Sequence, residues 1–435
     1  MRAATYNMVS TFILILCLTI PLILFFFFFQ KQKTLKNKAL LPAPRGLPII
    51  GNLHQLDNSS LSSQLFKLSK TYGPIFSLQL GLRSAIVISS PKLAEEALKN
   101  HDRVFAGRPN LIGPQKLSYN GIAFGRRYED EGVERSKFHD LLNECQAMLA
   151  GFFVSDYIPF MGWIDRLNGM HARLDRIFKE LDKFYQEVID EHMDPNRDTS
   201  NGEDIIDVLL QLKKHKSLSF DLTMDHIKAL LLDILVAGTD TTAATTVWAM
   251  TALIKNPRVM RKVQEELRNF GGQKDFLEEE EIKKCIYFKA VIKETLRLYP
   301  PVPLFVPKET NEKCSINGYE IPSKTIVYVN AWTIHRDPKA WKDPHEFCPE
   351  RFLDRDIDFL GQDFELIPFG AGRRICPGMH MALASLDLIL ANLLYSFDWK
   401  PPEGMTKEDI DTQVLPGVTQ HKKNPLYLIA KNYKG

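Results

Sequence analysis

Eighteen consecutive uncharged positions, residues 12–29, end in five phenylalanines. At about 1.5 Å per residue such a run spans roughly 27 Å as a helix, enough to cross the apolar core of a bilayer. It exceeds the apolar stretch of about 7 to 15 residues in a cleaved leader, and no small-x-small cleavage site precedes Lys31. A retained anchor over residues 8–29 is therefore expected rather than a signal peptide. Lys31, Lys33, Lys36, Lys38 and Arg45 follow it against Arg2 before it, which puts the rest of the chain on the cytosolic side. Within the linker, residues 30–48, Pro42, Pro44 and Pro48 fix φ and suit a stiff extended arm, although a plain tether satisfies the composition equally.

Beyond the linker the pattern alternates briefly and then turns helical. Phe76, Leu78 and Leu80 alternate with more polar neighbours, Gly81-Leu82-Arg83 supplies a turn, and an apolar run ending at Ile88 completes a predicted hairpin. Ser90-Pro91 has the form of an N-cap and first helical residue for a helix reaching about Leu98. Asn317-Gly318 signals a second hairpin, leading to a strand from Ile326 to Val329. The longest helix is expected to start at Thr223, to carry Ile227, Leu230, Leu231, Ile234 and Leu235 on its apolar side, and to stop at Asn256-Pro257. The acidic run Glu278 to Glu281 reads as a solvated helix start.

Composition narrows the classes without choosing a function. With 45% hydrophobic and 25% charged residues, 24 Gly and 25 Pro, the 435-residue chain is neither disordered nor a disulfide scaffold. Its 55 basic and 53 acidic residues nearly cancel, leaving no field for collecting nucleic acid, so no nucleic-acid partner is expected. Six cysteines with no C-x-x-C pair suit a reducing, cytosol-facing body.

Three patterns carry chemistry. The long helix breaks its own rule at Ala237-Gly238-Thr239-Asp240-Thr241-Thr242, where glycine and β-branched residues cost about 2 to 3 kcal/mol relative to alanine. Gly238 would let a flat ligand approach, and an Asp-Thr pair can relay protons; a kinked core helix with satisfied hydroxyls is the competing explanation. Glu294 and Arg297 share a helix face, and Arg351 in Pro349-Glu350-Arg351-Phe352 can bridge to Glu294 if the segments meet. The run Phe369-Gly370-Ala371-Gly372-Arg373-Arg374-Ile375-Cys376-Pro377-Gly378 has five fixed positions in ten. Its glycines shape a tight loop, its amides and the following helix start favour a thiolate at Cys376, and Arg374 suits an acidic cofactor group.

In this order, A-G-T-D-T-T, E-x-x-R, P-E-R-F and the Cys loop, the chain resembles the cytochrome P-450 family of haem-thiolate monooxygenases. The proline-rich arm and Pro416-Gly417-Val418 resemble its microsomal plant branch, and within that the group containing aldoxime-oxidising enzymes of defence metabolism. The resemblance implies a mainly α fold with smaller β-sheets, a haem-binding body over residues 49–435, and haem b iron as cofactor. It implies Cys376 as the iron ligand, Phe369 over its sulfur, Arg374 on a propionate and Gly378 in the same loop. Asp240 and Thr241 would be catalytic, delivering protons to dioxygen, while Ala237 and Gly238 make room for it. Glu294, Arg297 and Arg351 would form a buried ion-pair network, and Gly107 to Gly121, Leu304, Phe305 and Val418 would line the substrate pocket. The implied partners are an NADPH-dependent flavoprotein reductase, a small apolar substrate with dioxygen, and membrane lipid at the endoplasmic reticulum.

One join departs from the family. Members run to about 500 residues, so about 60 to 70 are missing, and Leu117 to Gly121 is followed directly by Ile122 to Arg127, which resembles a segment two helices later. An internal deletion between Gly121 and Ile122 is expected, removing a W-x-x-x-R helix that holds a propionate and most of two more. The W-x-x-x-R at Trp332 to Arg336 belongs to a later segment. Such a loss should expose apolar surface on the long helix and open one haem edge to water. A truncated, inactive variant unable to hold haem is the alternative function.

Overall fold

The computed structural model describes residues 41–57, 60–117, 141–142, 144–197, 203–216 and 219–433. The expected anchor, residues 30–40 of the linker and the Gly121–Ile122 join lie outside them. Seven longer helices dominate: α1 (Leu61–Tyr72), α2 (Met170–Met193), α3 (Ile205–His215), α4 (Met224–Lys255), α5 (Pro257–Gly271), α6 (Ile286–Leu298) and α7 (Met379–Ser396). The mainly α architecture with small sheets is the expected one.

The larger sheet orders β1 (Ile75–Leu80), β2 (Arg83–Ile88), β6 (Ile326–Val329) and β3 (Lys308–Glu309). The predicted first hairpin is β1-β2, closed at Leu80 opposite Arg83 with Gly81 at φ 59°. A β-carbon on Gly81 would stand 2.4 Å from the Tyr157 carbonyl oxygen, so the turn requires glycine. Strand β2 runs parallel to β6, and the helix capped by Ser90 packs Leu93, Ala97 and Leu98 against Ile86, Ile88, Val327 and Val329. The second predicted hairpin is β4 (Cys314–Ile316) with β5 (Tyr319–Ile321), turned by Asn317 and Gly318 at φ 50° and 80°. Strands β7 (Phe397–Lys400) and β8 (Ile429–Asn432) pair near the end of the chain.

Helix α4 starts where its cap predicts, with the Thr223 hydroxyl accepting from the His226 amide at 3.1 Å. It buries Ile227, Leu231 and Leu235 against Leu174, Ile177, Leu181 and Val188 of α2. At Ile234–Gly238 the helix widens into one π turn, immediately before the sequence that broke the propensity rule. The competing explanation for that sequence is partly realised too. Thr241, Thr242, Thr245 and Thr246 each donate a hydroxyl to the carbonyl four residues earlier, at 2.7 to 2.9 Å.

The second half of α4 and α7 share a core with α5 and α6, through Leu253, Val259, Val263, Leu267, Phe288, Leu390 and Leu394. On their other faces apolar side chains stand open: Val247 of α4 is 37% exposed, and Met381 and Ile389, eight apart on α7, are each 46% exposed. Burying one such side chain is worth about 1.5 to 3 kcal/mol.

Candidate functional site

The loop before α7 is built by backbone geometry that only glycine adopts easily. Gly370 and Gly372 have φ of 73° and 68°. A single 3-10 turn, Gly372–Arg374, follows, and the Cys376 amide donates to the Phe369 carbonyl at 2.9 Å to close the loop. The Phe369 ring meets Phe359 edge-on at 5.7 Å and anchors the loop to the core beneath α7, whose N-cap is Gly378. Cys376 is half-buried. Burial raises its thiol above the ordinary cysteine range, and the Gly378 amide opposes this only in part. A cation at the sulfur has to displace the proton.

Three cations converge beside this loop. Arg374 donates its Nε to the Ala106 carbonyl at 3.0 Å, and Arg108 donates to the carbonyls of Val306 and Pro307 at 2.8 and 3.0 Å. Lys308, next in chain on β3, is 5% exposed. Burial, then Arg108 and Arg374, push its ammonium down to about 7. Arg374 stands near enough to Arg108 to repel its charge, and Asp233 to attract it. Among the described residues none of the three cations makes an ion pair, so the cluster is short of negative charge. Arg373, by contrast, turns outward to Asp102 at 3.1 Å. Lys308 had no signal in the sequence, because nothing local marks a strand lysine as the neighbour of a loop 61 or more residues away, and Arg108 was expected only within the pocket-lining stretch Gly107 to Gly121.

A depressed lysine makes stability depend on pH in a definite sense. Between about 7 and 10.5 the unfolded chain holds a proton on Lys308 that the folded chain lacks, so folding strengthens as pH rises through that window and is level below it. Lys308→Met is expected to lower the slope of stability against pH by about one proton, read from urea unfolding at several pH values.

Across from the loop, Gly238 of α4 faces α7: a β-carbon there would lie 3.6 Å from the Met381 methyl, an ordinary contact. Ala237 is exposed and Gly238 half-buried. The Thr241 hydroxyl donates to Ala237 at 2.7 Å. One oxygen of Asp240 lies 2.9 Å from Nε2 of His421, while its other oxygen is buried with no partner among the described residues. His421 is a further residue that the sequence did not signal.

The family model described as Cytochrome P450 matches residues 41–121 and 117–429. The chain belongs to the cytochrome P450 family. It is 42% identical over 502 aligned positions to 5-OH-xanthotoxin synthase of Pastinaca sativa, covering 97% of this chain and 99% of that protein. It is 42% identical to 6,7,8-trihydroxycoumarin synthase of the same plant over 97% of this chain and 98% of that one. Strychnine-11-hydroxylase of Strychnos nux-vomica is 39% identical over 92% of this chain and 93% of its own. The 502 aligned positions exceed the chain's 435 residues by 67, and the two stretches matched to the family meet at 117–121, where the sequence places its deletion.

This P450 is a haem-thiolate monooxygenase of plant secondary metabolism, and the cofactor of its family is haem b iron. The residues present fit that group: a half-buried thiol at a closed loop, and beside it three cations that make no ion pair among the described residues, where two propionates would supply negative charge. The E-x-x-R motif of α6 forms the expected buried network. Arg297 donates Nε and one terminal nitrogen to both oxygens of Glu294 at 2.7 and 2.8 Å, and Arg351 reaches Glu294 at 3.1 Å. Trp332 and Arg336 stack on each other at 3.9 Å, and Arg336 donates to the Leu298 carbonyl at the end of α6. They form no part of the Cys376 loop, as their sequence context implies.

Proposed function

We propose that this P450 inserts one atom of dioxygen into a small, largely apolar plant metabolite, using electrons from an NADPH-dependent flavoprotein reductase. The observation that carries this reading is the closed Cys376 loop beside the charge-deficient cluster of Arg108, Lys308 and Arg374. Haem b, when bound, supplies the redox chemistry that activates dioxygen. Cys376 holds the metal through its sulfur, Phe369 shields that sulfur from water, Gly378 starts the helix behind it, and Arg374 with Lys308 and Arg108 holds the propionates. Ala237 and Gly238 leave room at the widened turn of α4, and Asp240 and Thr241 hold and move the protons that oxygen reduction consumes. The relatives act, by their names, on coumarin-type and alkaloid molecules, which suits an apolar substrate. In this reading residues 8–29 anchor the chain in endoplasmic reticulum lipid, residues 30–48 link the anchor, and the body 49–435 faces the cytosol.

A second reading is favoured by the open faces of α4 and α7: a family member shortened at one join and unable to retain haem. One experiment separates the two. The chain as it stands and a chain with the missing helices restored from a relative are each reduced and exposed to carbon monoxide. A thiolate-type Soret band in both supports the monooxygenase reading for this chain. A band in the restored protein alone assigns this chain to the shortened, inactive form. No band in either overturns the haem-thiolate assignment of Cys376.

A further inference from the structure

The partner of Asp240 comes from the far end of the chain. His421 sits in a turn that is fastened at several points: Gln420 donates to the Pro301 carbonyl at 2.7 Å, the Trp248 indole donates to the Gln420 carbonyl at 2.7 Å, and Leu415 donates to the His421 carbonyl at 2.9 Å. Trp248 lies two turns beyond Asp240 on the same helix and is itself stacked flat on Tyr299, with ring centroids 4.8 Å apart. The C-terminal turn is therefore bolted along one face of α4, gripping it through Gln420 at Trp248 and through His421 at Asp240. Burial grades outward across the pair: the Asp240 side chain is 17% exposed and the His421 side chain 38%. The carboxylate thus has one oxygen engaged by an imidazole that meets solvent and the other buried with no partner among the described residues. A buried acceptor left empty in this way is costly unless function uses it.

We propose that His421 is a positioning residue that orients the Asp240 carboxylate and resupplies it with protons from solvent. The imidazolium passes its Nε2 proton to the adjacent carboxylate oxygen, becoming neutral imidazole. Solvent then returns a proton to the ring, and the carboxyl group rotates about its Cβ–Cγ bond to present the proton it received on the buried side, where it is delivered. The inference rests on the proton-moving role given to Asp240 above.

The test uses His421→Gln, which keeps an N–H donor for Asp240 but cannot carry a proton, beside Asp240→Asn. In the full chain, histidine-selective 15N NMR should show a hydrogen-bonded Nε2–H of His421 that Asp240→Asn shifts; no shift overturns the pair. In haem-loaded protein, His421→Gln should lower product formed per NADPH about tenfold, with electrons appearing as peroxide and unchanged substrate affinity. If His421→Gln matches the parent while Asp240→Asn loses product, the relay falls and the role of Asp240 stands. If Asp240→Asn itself leaves product per NADPH unchanged, the role of Asp240 fails and the relay fails with it.

Discussion

Arg297→Ala is expected to cost about 3 to 5 kcal/mol of folding stability, a large part of the about 5 to 15 kcal/mol that holds a typical domain. Both partners of the Glu294–Arg297 pair are 0% exposed. The guanidinium also donates to the carbonyls of His335 and Pro344 at 2.8 Å and of Glu346 at 3.0 Å, tying α6 to the segment that precedes Arg351. Its removal strands the carbonyls of His335 and Pro344, while that of Glu346 keeps the Arg351 guanidinium at 3.3 Å. Glu294 keeps only the Arg351 Nε at 3.1 Å and the Cys348 amide at 2.8 Å. Each unsatisfied group costs about 1 to 3 kcal/mol, and the stranded carboxylate more. Urea unfolding should show the midpoint falling sharply with an unchanged slope. A loss below about 1 kcal/mol would mean that the network is not the buried clamp described. Replacing Glu294 and Arg297 together by apolar residues of similar size should recover part of the loss, because breaking a buried pair costs more than removing it whole.

Gly372→Ala should cost about 2 to 5 kcal/mol and disorder the Cys376 loop. At φ 68° any L side chain is strained by about 1 to 2 kcal/mol. The added carbon would lie 1.8 Å from the Leu98 carbonyl oxygen, a backbone atom that cannot rotate away. Overpacking of this kind adds about 1 to 3 kcal/mol. The helix turn carrying Leu98 also precedes the Val104–Ala106 segment that orients Arg374, so a shift there reaches the cation cluster. Haem titration of purified Gly372→Ala should show weakened retention beside a lowered melting temperature. By contrast, Gly378→Ala, where an added carbon meets nothing within 4 Å, should leave stability within about 1 kcal/mol. Equal losses in the two variants would contradict the clash.

Local grammar carried most of the fold. The Thr223 cap, the Ser90-Pro91 start, both hairpin turns and the glycine-shaped Cys loop are read within a few residues, because each depends on side chains bonding to their own backbone or on φ that neighbours cannot change. The Glu294 and Arg297 pair was legible as a helix-face match, but the link from Glu294 to Arg351 required the chain to fold back over 57 residues. The surroundings of Cys376 divide in the same way: the Gly378 amide beside it is local, whereas its burial comes from packing.

What the sequence determined by itself is the family, the Cys376 loop and the place of the missing segment, since spacing and order survive without coordinates. Tertiary structure alone decided that Arg108, Lys308 and Arg374 share one charge-deficient site, that His421 closes on Asp240, and that Val247, Met381 and Ile389 stand uncovered. Charge balance and exposure are sums over every neighbour in space, and a linear chain does not state who those neighbours are.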